Sequence, residues 1–314
     1  MYNSVMEMAN LWLKQEQSVG RPRVARAEDA PGLTRLLRDA ALVHTHVDWR
    51  LPVDWLGEAG FVLQEAPPAA AGGRSLASRL LGARVSLQAC LAVAADPPPA
   101  AWVRVAALAE AADVAQTLGG LLAAVQDYLR ATAVTQLAWL PTEEWPNAWL
   151  PQLGFTRVNA IETYKKDDVT APAPPPVAGL TIRPVRAADL ETLAAIEVAA
   201  FEPLWRHSAA ALALARNQAS SFDVAELDGE IVGFQFSTGR RHYAHLARMT
   251  IAPRVQGRGV GSALLAHAID GYRRNGLHAV TLNTQVDNVA SQRLYRRFGF
   301  QPTGERLPVW AISL

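Results

Sequence analysis

Apolar residues recur along this chain at two spacings, one near two residues and one near three and a half. Residues 180–196, LTIRPVRAADLETLAAI, open with a short β-rich run. A helix start at Ala188-Asp189 follows, then apolar residues at helical spacing. Residues 22–37, PRVARAEDAPGLTRLL, carry the same arginine, acidic cap and leucine-rich helix. Beyond the first of these segments the pattern predicts a strand over 222–227, a tight turn at Asp228-Gly229 and a strand over 231–238. A further strand over 244–251 leads into a glycine-rich loop, and a helix begins near Ser262. A strand over 279–283 and a helix from Asn288 complete this half.

The two helix-and-strand series are separated by a proline- and alanine-rich tract that can continue neither a helix nor a central strand. The boundaries this predicts are a first domain over 1–166, a linker over 167–179 and a second domain over 180–314. Leu153-Gly154-Phe155 and Phe298-Gly299-Phe300 end the two halves alike, which suggests a duplication. The expected class is α/β, two tandem units, each a mixed, mostly antiparallel sheet flanked by helices.

Thirty Lys and Arg against twenty-nine Asp and Glu leave a net charge of +1, without the cationic excess expected of a nucleic-acid or anionic-membrane binder. Cys90 is the single cysteine, so no internal disulfide or thiol-rich metal centre is expected, and a reducing, cytoplasmic setting fits. The first twenty residues lack a basic lead and a long apolar core, which argues against a secretory signal. No long uncharged apolar stretch predicts a membrane span. His44 and His46 alternate as a metal pair on a strand would, but no later His or Cys group completes a shell, and no metal is expected. Residues 67–73 read as a surface loop, and Pro97-Pro98-Pro99 as a stiff turn.

The segment 249–269, MTIAPRVQGRGVGSALLAHAI, holds the chemistry. Gly257, Gly259 and Gly261 leave backbone N–H groups free at a helix start, where the helix dipole favours an anion, and Arg258 adds a cation. A dinucleotide fingerprint would need glycine where Ser262 stands, and a P-loop would need Gly-Lys-Ser/Thr. Gln256-Gly257-Arg258-Gly259-Val260-Gly261 resembles the acetyl-CoA pyrophosphate loop of the GNAT superfamily of N-acetyltransferases. The run from Asn288 through Ser291 and Tyr295 to Gly299-Phe300 resembles that superfamily's second signature, in the look of the ribosomal-protein N-terminal acetyltransferases.

The resemblance implies that Met249, Thr250 and Ile251 pair with the pantetheine arm as an added strand. It implies that Ser262, Asn288 and Ser291 lie along the cofactor and that backbone N–H near Ile251 holds the oxyanion. Tyr295 would protonate the leaving thiolate while an amine attacks acetyl-CoA directly. Asn288 reads equally as a helix cap. For the base, the resemblance offers His245, where many relatives carry glutamate; a packing histidine is the alternative. The glutamate that the ribosomal-protein enzymes place twelve residues before the tyrosine is Asn283 here, which cannot accept a proton.

The acceptor, a small-molecule amine or a peptide N-terminus, is expected between residues 201–207, with Glu202 and Trp205, and a closing hairpin over 307–314 with Trp310. The first half has no glycine over 103–118, and Leu150 and Glu143 stand opposite Tyr295 and Asn288, so it reads as a degenerate copy. Two alternatives stand beside catalysis: an acyl-CoA-binding sensor, and a protein-interaction module built on a large apolar patch of the first half. Exposed sheet edges leave surfaces for a homodimer.

Overall fold

The structure is a computed structural model that describes residues 20–66, 86–240 and 242–314. The tract at 67–73 and the first nineteen residues, with the readings made on them, lie outside these. The first half runs β1 (Arg23–Val24), α1 (Ala30–Asp39), β2 (Leu42–Thr45), β3 (Phe61–Glu65), β4 (Leu87–Ala94), β5 (Ala100–Leu108), α2 (Val114–Ala131), β6 (Gln136–Trp139), α3 (Trp145–Trp149) and β7 (Thr156–Lys166). The second half runs β8 (Leu180–Pro184), α4 (Leu190–Ala200), α5 (Ala209–Gln218), β9 (Ser221–Leu227), β10 (Glu230–Arg240), β11 (Tyr243–Ile251), α6 (Val260–Arg274), β12 (Ala279–Gln285), α7 (Val289–Arg297) and β13 (Gln301–Ser313). Residues 167–179 hold no helix or strand, yet Val169 and Val177 pack onto the second half's cores.

The two halves begin with one device. Arg23 grips Asp29 through both terminal nitrogens, at 2.8 and 2.7 Å, and Glu65 through Nε at 2.7 Å. Arg183 does the same to Asp189, at 2.7 and 3.1 Å, and to Glu226, at 2.9 Å. Each aspartate also accepts a backbone N–H three residues earlier, from Arg26 and Arg186. They end alike too: Gly154 and Gly299 take φ values of +85° and +86°, closing the turn after the last helix. There the amides of Phe155 and Phe300 bond the carbonyls of Leu150 and Tyr295, the residues paired by sequence.

Twelve of the thirteen described strands form one path, β1-β3-β4-β5-β6-β13-β7-β12-β11-β10-β9-β8, with β2 attached to β5. The halves thus share a single sheet, in which β7 of the first half pairs antiparallel with β12 of the second, and β13 pairs with β6 and β7. The closing hairpin expected over 307–314 is not formed. Its residues lie in one long strand threaded between β6 and β7, because those two strands offer unpaired edges that an exposed hairpin would leave open.

In both halves two neighbouring parallel strands diverge. β5 pairs with β6 only over Ala100, Ala101 and Trp102, and β11 with β12 only from Tyr243 to Leu246. Each diverging strand carries a register shift against its other neighbour, which leaves Arg104 in β5 and Ala247 in β11 as the extra residue. Such a bulge bends the strand and deepens its twist. The first half fills its own gap: β2 pairs with β5 over Val105 to Leu108, and the Val43 carbonyl accepts the indole N–H of Trp145 at 2.9 Å. In the second half no strand among the described residues fills it.

Candidate active site

The open gap has a definite hydrogen-bonding edge. The Ala252 N–H reaches the Val232 carbonyl at 2.8 Å, on the β10 side. Alternation along an antiparallel pair then turns Thr250 and Arg248 toward β10, and the N–H and C=O of Met249 and Ile251 toward the gap. The Ile251 carbonyl accepts from the Gln256 side chain at 3.0 Å, which anchors the loop to the strand end.

Beyond the strand, Gly257 and Gly259 take φ values of +76° and +90°, a region L-residues enter at a cost of about 1–2 kcal/mol. Nothing stands within 4 Å of a Cβ placed on Gly257, so the loop is open on that side. Gly259 caps α6, whose first residue, Val260, lies two residues ahead of the start expected near Ser262. The first bond of the helix is Ala263 N–H to the Gly259 carbonyl at 3.0 Å, which leaves the amides of Val260, Gly261 and Ser262 without acceptors inside the helix. The Ser262 hydroxyl is taken by the Arg297 guanidinium, so its backbone N–H is what remains for an anion. Arg258 is exposed and makes no ion pair among the described residues. Together these groups form a cradle that fits a diphosphate.

Tyr295 lies beneath the gap, 6 % exposed, with its ring centroid 5.9 Å from that of Phe300 and 6.4 Å from that of Tyr164 on β7. Burial pushes its phenol up to about 12, against opposing pulls from Arg248 and from Ser291. It is therefore a protonated donor at neutral pH. The Asn288 carbonyl oxygen accepts the Ser291 N–H at 3.1 Å, so Asn288 is a helix cap. Its Nδ2 has only a long 3.5 Å contact to Gln285, and is the group left for a ligand amide.

His245 stands on β11 just before the divergence, paired across to Thr238 and Thr281. Its Nδ1 meets the Thr281 hydroxyl at 2.9 Å, and burial lowers its pKa below the usual 6.5. The unprotonated imidazole required of a base is thus the form present at neutral pH. Asn283 is exposed and paired to Thr163 of β7.

On the face of β11 that carries His245, opposite the core around Tyr295, lies a buried ionic group that the motif reading missed. Glu197 of α4 is fully buried and accepts from the Thr250 hydroxyl at 2.6 Å, from Arg248 Nε at 3.0 Å and from Arg248 Nη2. The backbone N–H of His207 reaches it at 3.1 Å, and Arg248 also bonds the Trp205 carbonyl at 2.6 Å and lies 3.9 Å over the Phe201 ring. Burial would push the Glu197 carboxyl up, but the Arg248 charge and the bonds from His207 hold it at about 2. One signal was in the sequence: Leu190, Leu193, Ile196 and Glu197 share the buried stripe of α4, and an acid on an apolar stripe needs a partner.

The loop 201–207 meets this group, with Trp205 facing a cavity and Glu202 exposed. Trp310 is elsewhere: its indole N–H bonds Asn147 at 2.9 Å and its ring packs on the first half's core, because β13 crossed to that side. His44 is fully buried against Trp139 and its Nδ1 meets Glu143 at 3.0 Å, while His46 stacks near Trp102. Among the described residues no cluster of three or more His, Cys, Asp or Glu is gathered, and no helix is long and apolar enough to cross a membrane.

Residues 190–300, which hold the gap, the loop and Tyr295, match the model of the Acetyltransferase (GNAT) family. Residues 190–300 form a GNAT domain. A Bacillus subtilis protein provisionally named ribosomal protein bS18-alanine N-acetyltransferase is 26 % identical over 125 residues, 40 % of this chain and 83 % of that one. Mycothiol acetyltransferase of Pseudarthrobacter chlorophenolicus is 34 % identical over 158 residues, 44 % of this chain and 49 % of that one. The match to this second relative therefore spans only about half its length. Among solved structures, a tandem GNAT protein from the clavulanic acid biosynthesis pathway superposes with a TM-score of 0.58 at 16 % identity, covering 93 % of this chain and 98 % of its own. The fold is that of a tandem GNAT protein, with the GNAT domain of residues 190–300 in its second half.

Proposed function

We propose that the protein is an N-acetyltransferase that moves an acetyl group from acetyl-CoA to a primary amine, a small molecule or a peptide N-terminus. The active site belongs to residues 180–314, joined by 167–179 to an inactive copy over 1–166. The observation that carries this reading is the edge of β11, unpaired beyond Leu246 among the described residues, where Met249 and Ile251 turn backbone groups into a gap of the kind that the other half closes with β2. When bound, acetyl-CoA supplies a thioester that an uncharged amine attacks directly. The loop amides of Gly257 and of Gly259 to Ser262, with the Arg258 side chain and Gln256 beside them, are suited to the diphosphate, and Met249, Ile251 and Asn288 to the pantetheine arm. Thr250, expected on that arm from sequence, is withdrawn from it because its backbone pairs with β10 and its hydroxyl is given to Glu197. His245 takes the amine's proton, directly or through water, and the Ile251 N–H faces the space where an oxyanion develops. Tyr295 holds an O–H donor for a leaving thiolate.

Calorimetry on the full chain tests the binding step: acetyl-CoA and CoA should both give heat, and the absence of heat from either sinks the proposal. Changing Gly259 to alanine forces a Cβ into a φ of +90° and to within 3.1 Å of Val177, so the loop must shift. Affinity for CoA should fall about tenfold, the equivalent of roughly 1.4 kcal/mol. Undiminished affinity would detach the loop from the cofactor. A sensor would bind equally but release no CoA in the presence of any amine.

The base assignment gives a pH result. Because burial lowers the His245 pKa, the acid limb of kcat/KM should lie below pH 6.5, with activity flat above it until another group titrates. His245→Gln should reduce kcat/KM at pH 7 by about 10²-fold and remove that limb. A limb that persists in the variant assigns the base elsewhere.

A further inference from the structure

A cavity of about 150 Å³ lies where the two halves meet, walled by His46, Asp48 and Arg104 of the first and by Trp205, His207 and Arg248 of the second. That is room for a group about the size of a benzene ring. Its first-half wall follows from the strand that fills the unused gap. β2 ends at Thr45, the His46 N–H bonds the Arg104 carbonyl at 2.8 Å, and the chain then runs along the cavity to Trp49. Trp49 packs edge-on to Phe236 of the second half at 5.3 Å, and its carbonyl accepts from Gln218. Across the cavity, the Trp102 indole N–H bonds the Leu204 carbonyl at 3.1 Å, and its ring lies 5.8 Å from that of Trp205. Arg248 connects this space to the open gap, since it stands beside Met249 on β11.

Two buried side-chain nitrogens on residues lining the cavity lack a partner among the described residues. Arg104, the extra residue of the β5 bulge, has its side chain 11 % exposed and gives one terminal nitrogen to Asp48 at 3.0 Å, while its buried Nε has no partner among the described residues. The buried Nδ1 of His46 has none either. Asp48 has little left to accept with, since its other oxygen already takes the amides of Trp49 at 2.6 Å and Arg50 at 3.2 Å. Four arginines and two aspartates line the space, and Asp96 is the second of those carboxylates. A buried guanidinium N–H without an acceptor is costly, and an oxygen anion bound there removes the cost. Burial and the Arg104 charge hold His46 well below its ordinary pKa, so it is a neutral imidazole that donates or accepts according to its tautomer.

The geometry points to this cavity as the seat of the acceptor, with Arg104 and His46 of the catalytically silent half binding a carboxylate that the acceptor carries away from its amine. The inference rests on the acetyltransferase reading above. It gives the first half a role in specificity: its own gap is closed by β2, and the same strand delivers His46 and Asp48 to the active half.

The test uses the full chain with acetyl-CoA and matched amines: alanine against ethylamine, phenylalanine against phenethylamine, and each amino acid against its methyl ester. Within at least one pair, the free acid should be acetylated with a kcat/KM at least about tenfold above its carboxylate-free partner. Arg104→Gln should abolish that preference through KM for the acid, with KM for acetyl-CoA unchanged. Because Arg104 also holds Asp48, His46→Ala serves as a second variant, for it removes no hydrogen bond made by that side chain among the described residues. Its preference should fall about threefold or more, with thermal stability close to that of the parent. Equal or better turnover of the carboxylate-free amines, or a preference that survives both substitutions, overturns the inference. So does turnover of none of the acids by protein that binds acetyl-CoA. Loss of acetyl-CoA binding itself would instead strike the reading beneath it.

Discussion

Tyr295→Phe is expected to lower kcat by about 10²–10³-fold, the usual effect of removing one positioned donor from a site of developing charge. The ring fills the same volume against Phe300 and Tyr164, so the fold and the CoA dissociation constant should change little. The elevated pKa of the phenol, about 12, decides how the group works. A thiol titrates near 8.5, so complete proton transfer from this phenol to a thiolate runs uphill by roughly 3.5 pKa units. Tyr295 is therefore better suited to holding the sulfur's charge by a hydrogen bond than to surrendering its proton outright. The kcat of the variant should consequently stay depressed across pH 6–9 rather than recover at one end. Stopped assays of CoA release measure this directly, and a kcat within threefold of the parent would remove Tyr295 from the chemistry.

What could be read from sequence was local. The turn at Asp228-Gly229 forms with φ of +52° and +85°, because that dipeptide tolerates the left-handed region and few others do. The glycine loop, α6 and the Asn288–Phe300 stretch were legible for the same reason, since each is a contiguous run whose spacing encodes its geometry. The pairing of Leu150 with Tyr295 and of Gly154 with Gly299 held because a helix, a left-handed glycine and a returning amide recur in both copies.

Long-range pairing was not legible. Nothing in Leu42–Thr45 marks it as the strand that enters its own half's gap: the run Leu-Val-His-Thr shows no apolar–polar alternation, and its one buried side chain is His44. Trp310 was assigned to the acceptor wall because a closing hairpin would have brought it there. The strand went instead to β6, and the indole with it. The same exchange makes β7 a neighbour of the active half, so that Tyr164 packs on Tyr295 and its hydroxyl bonds Glu162 at 2.7 Å. A second half cut free at residue 180 would lose the strand that covers β12 and part of the wall behind its tyrosine. A sheet with its edge strand removed presents unpaired backbone and tends to aggregate.

Glu197→Ala should destabilise the protein by about 3–5 kcal/mol, the range found when one partner of a buried ion pair is removed and the other is left charged. In this protein the abandoned partner is Arg248, which would keep the Trp205 carbonyl and the Phe201 face but lose its carboxylate, while Thr250 and the His207 amide lose their acceptor. The pH dependence follows from the depressed carboxyl. Because Glu197 titrates at about 2 in the folded protein against 4.5 as a free side chain, its contribution is present above pH 4.5 and is lost as the pH falls toward 2. The gap in stability between parent and Glu197→Gln should accordingly be full at pH 7 and narrow below pH 4.5. Urea denaturation at a series of pH values reads both, and a Glu197→Ala protein within 1 kcal/mol of the parent at pH 7 would contradict the burial argument. Replacing the pair together, Glu197→Leu with Arg248→Met, should recover most of the loss, since apolar residues of similar volume commonly match a buried ion pair. Activity should not return with it. Arg248 joins the cavity between the halves to the free edge of β11, so a refolded double variant that still binds acetyl-CoA should fail to acetylate amines. That separation of stability from turnover tells an ion pair kept for the acceptor from one kept for the fold.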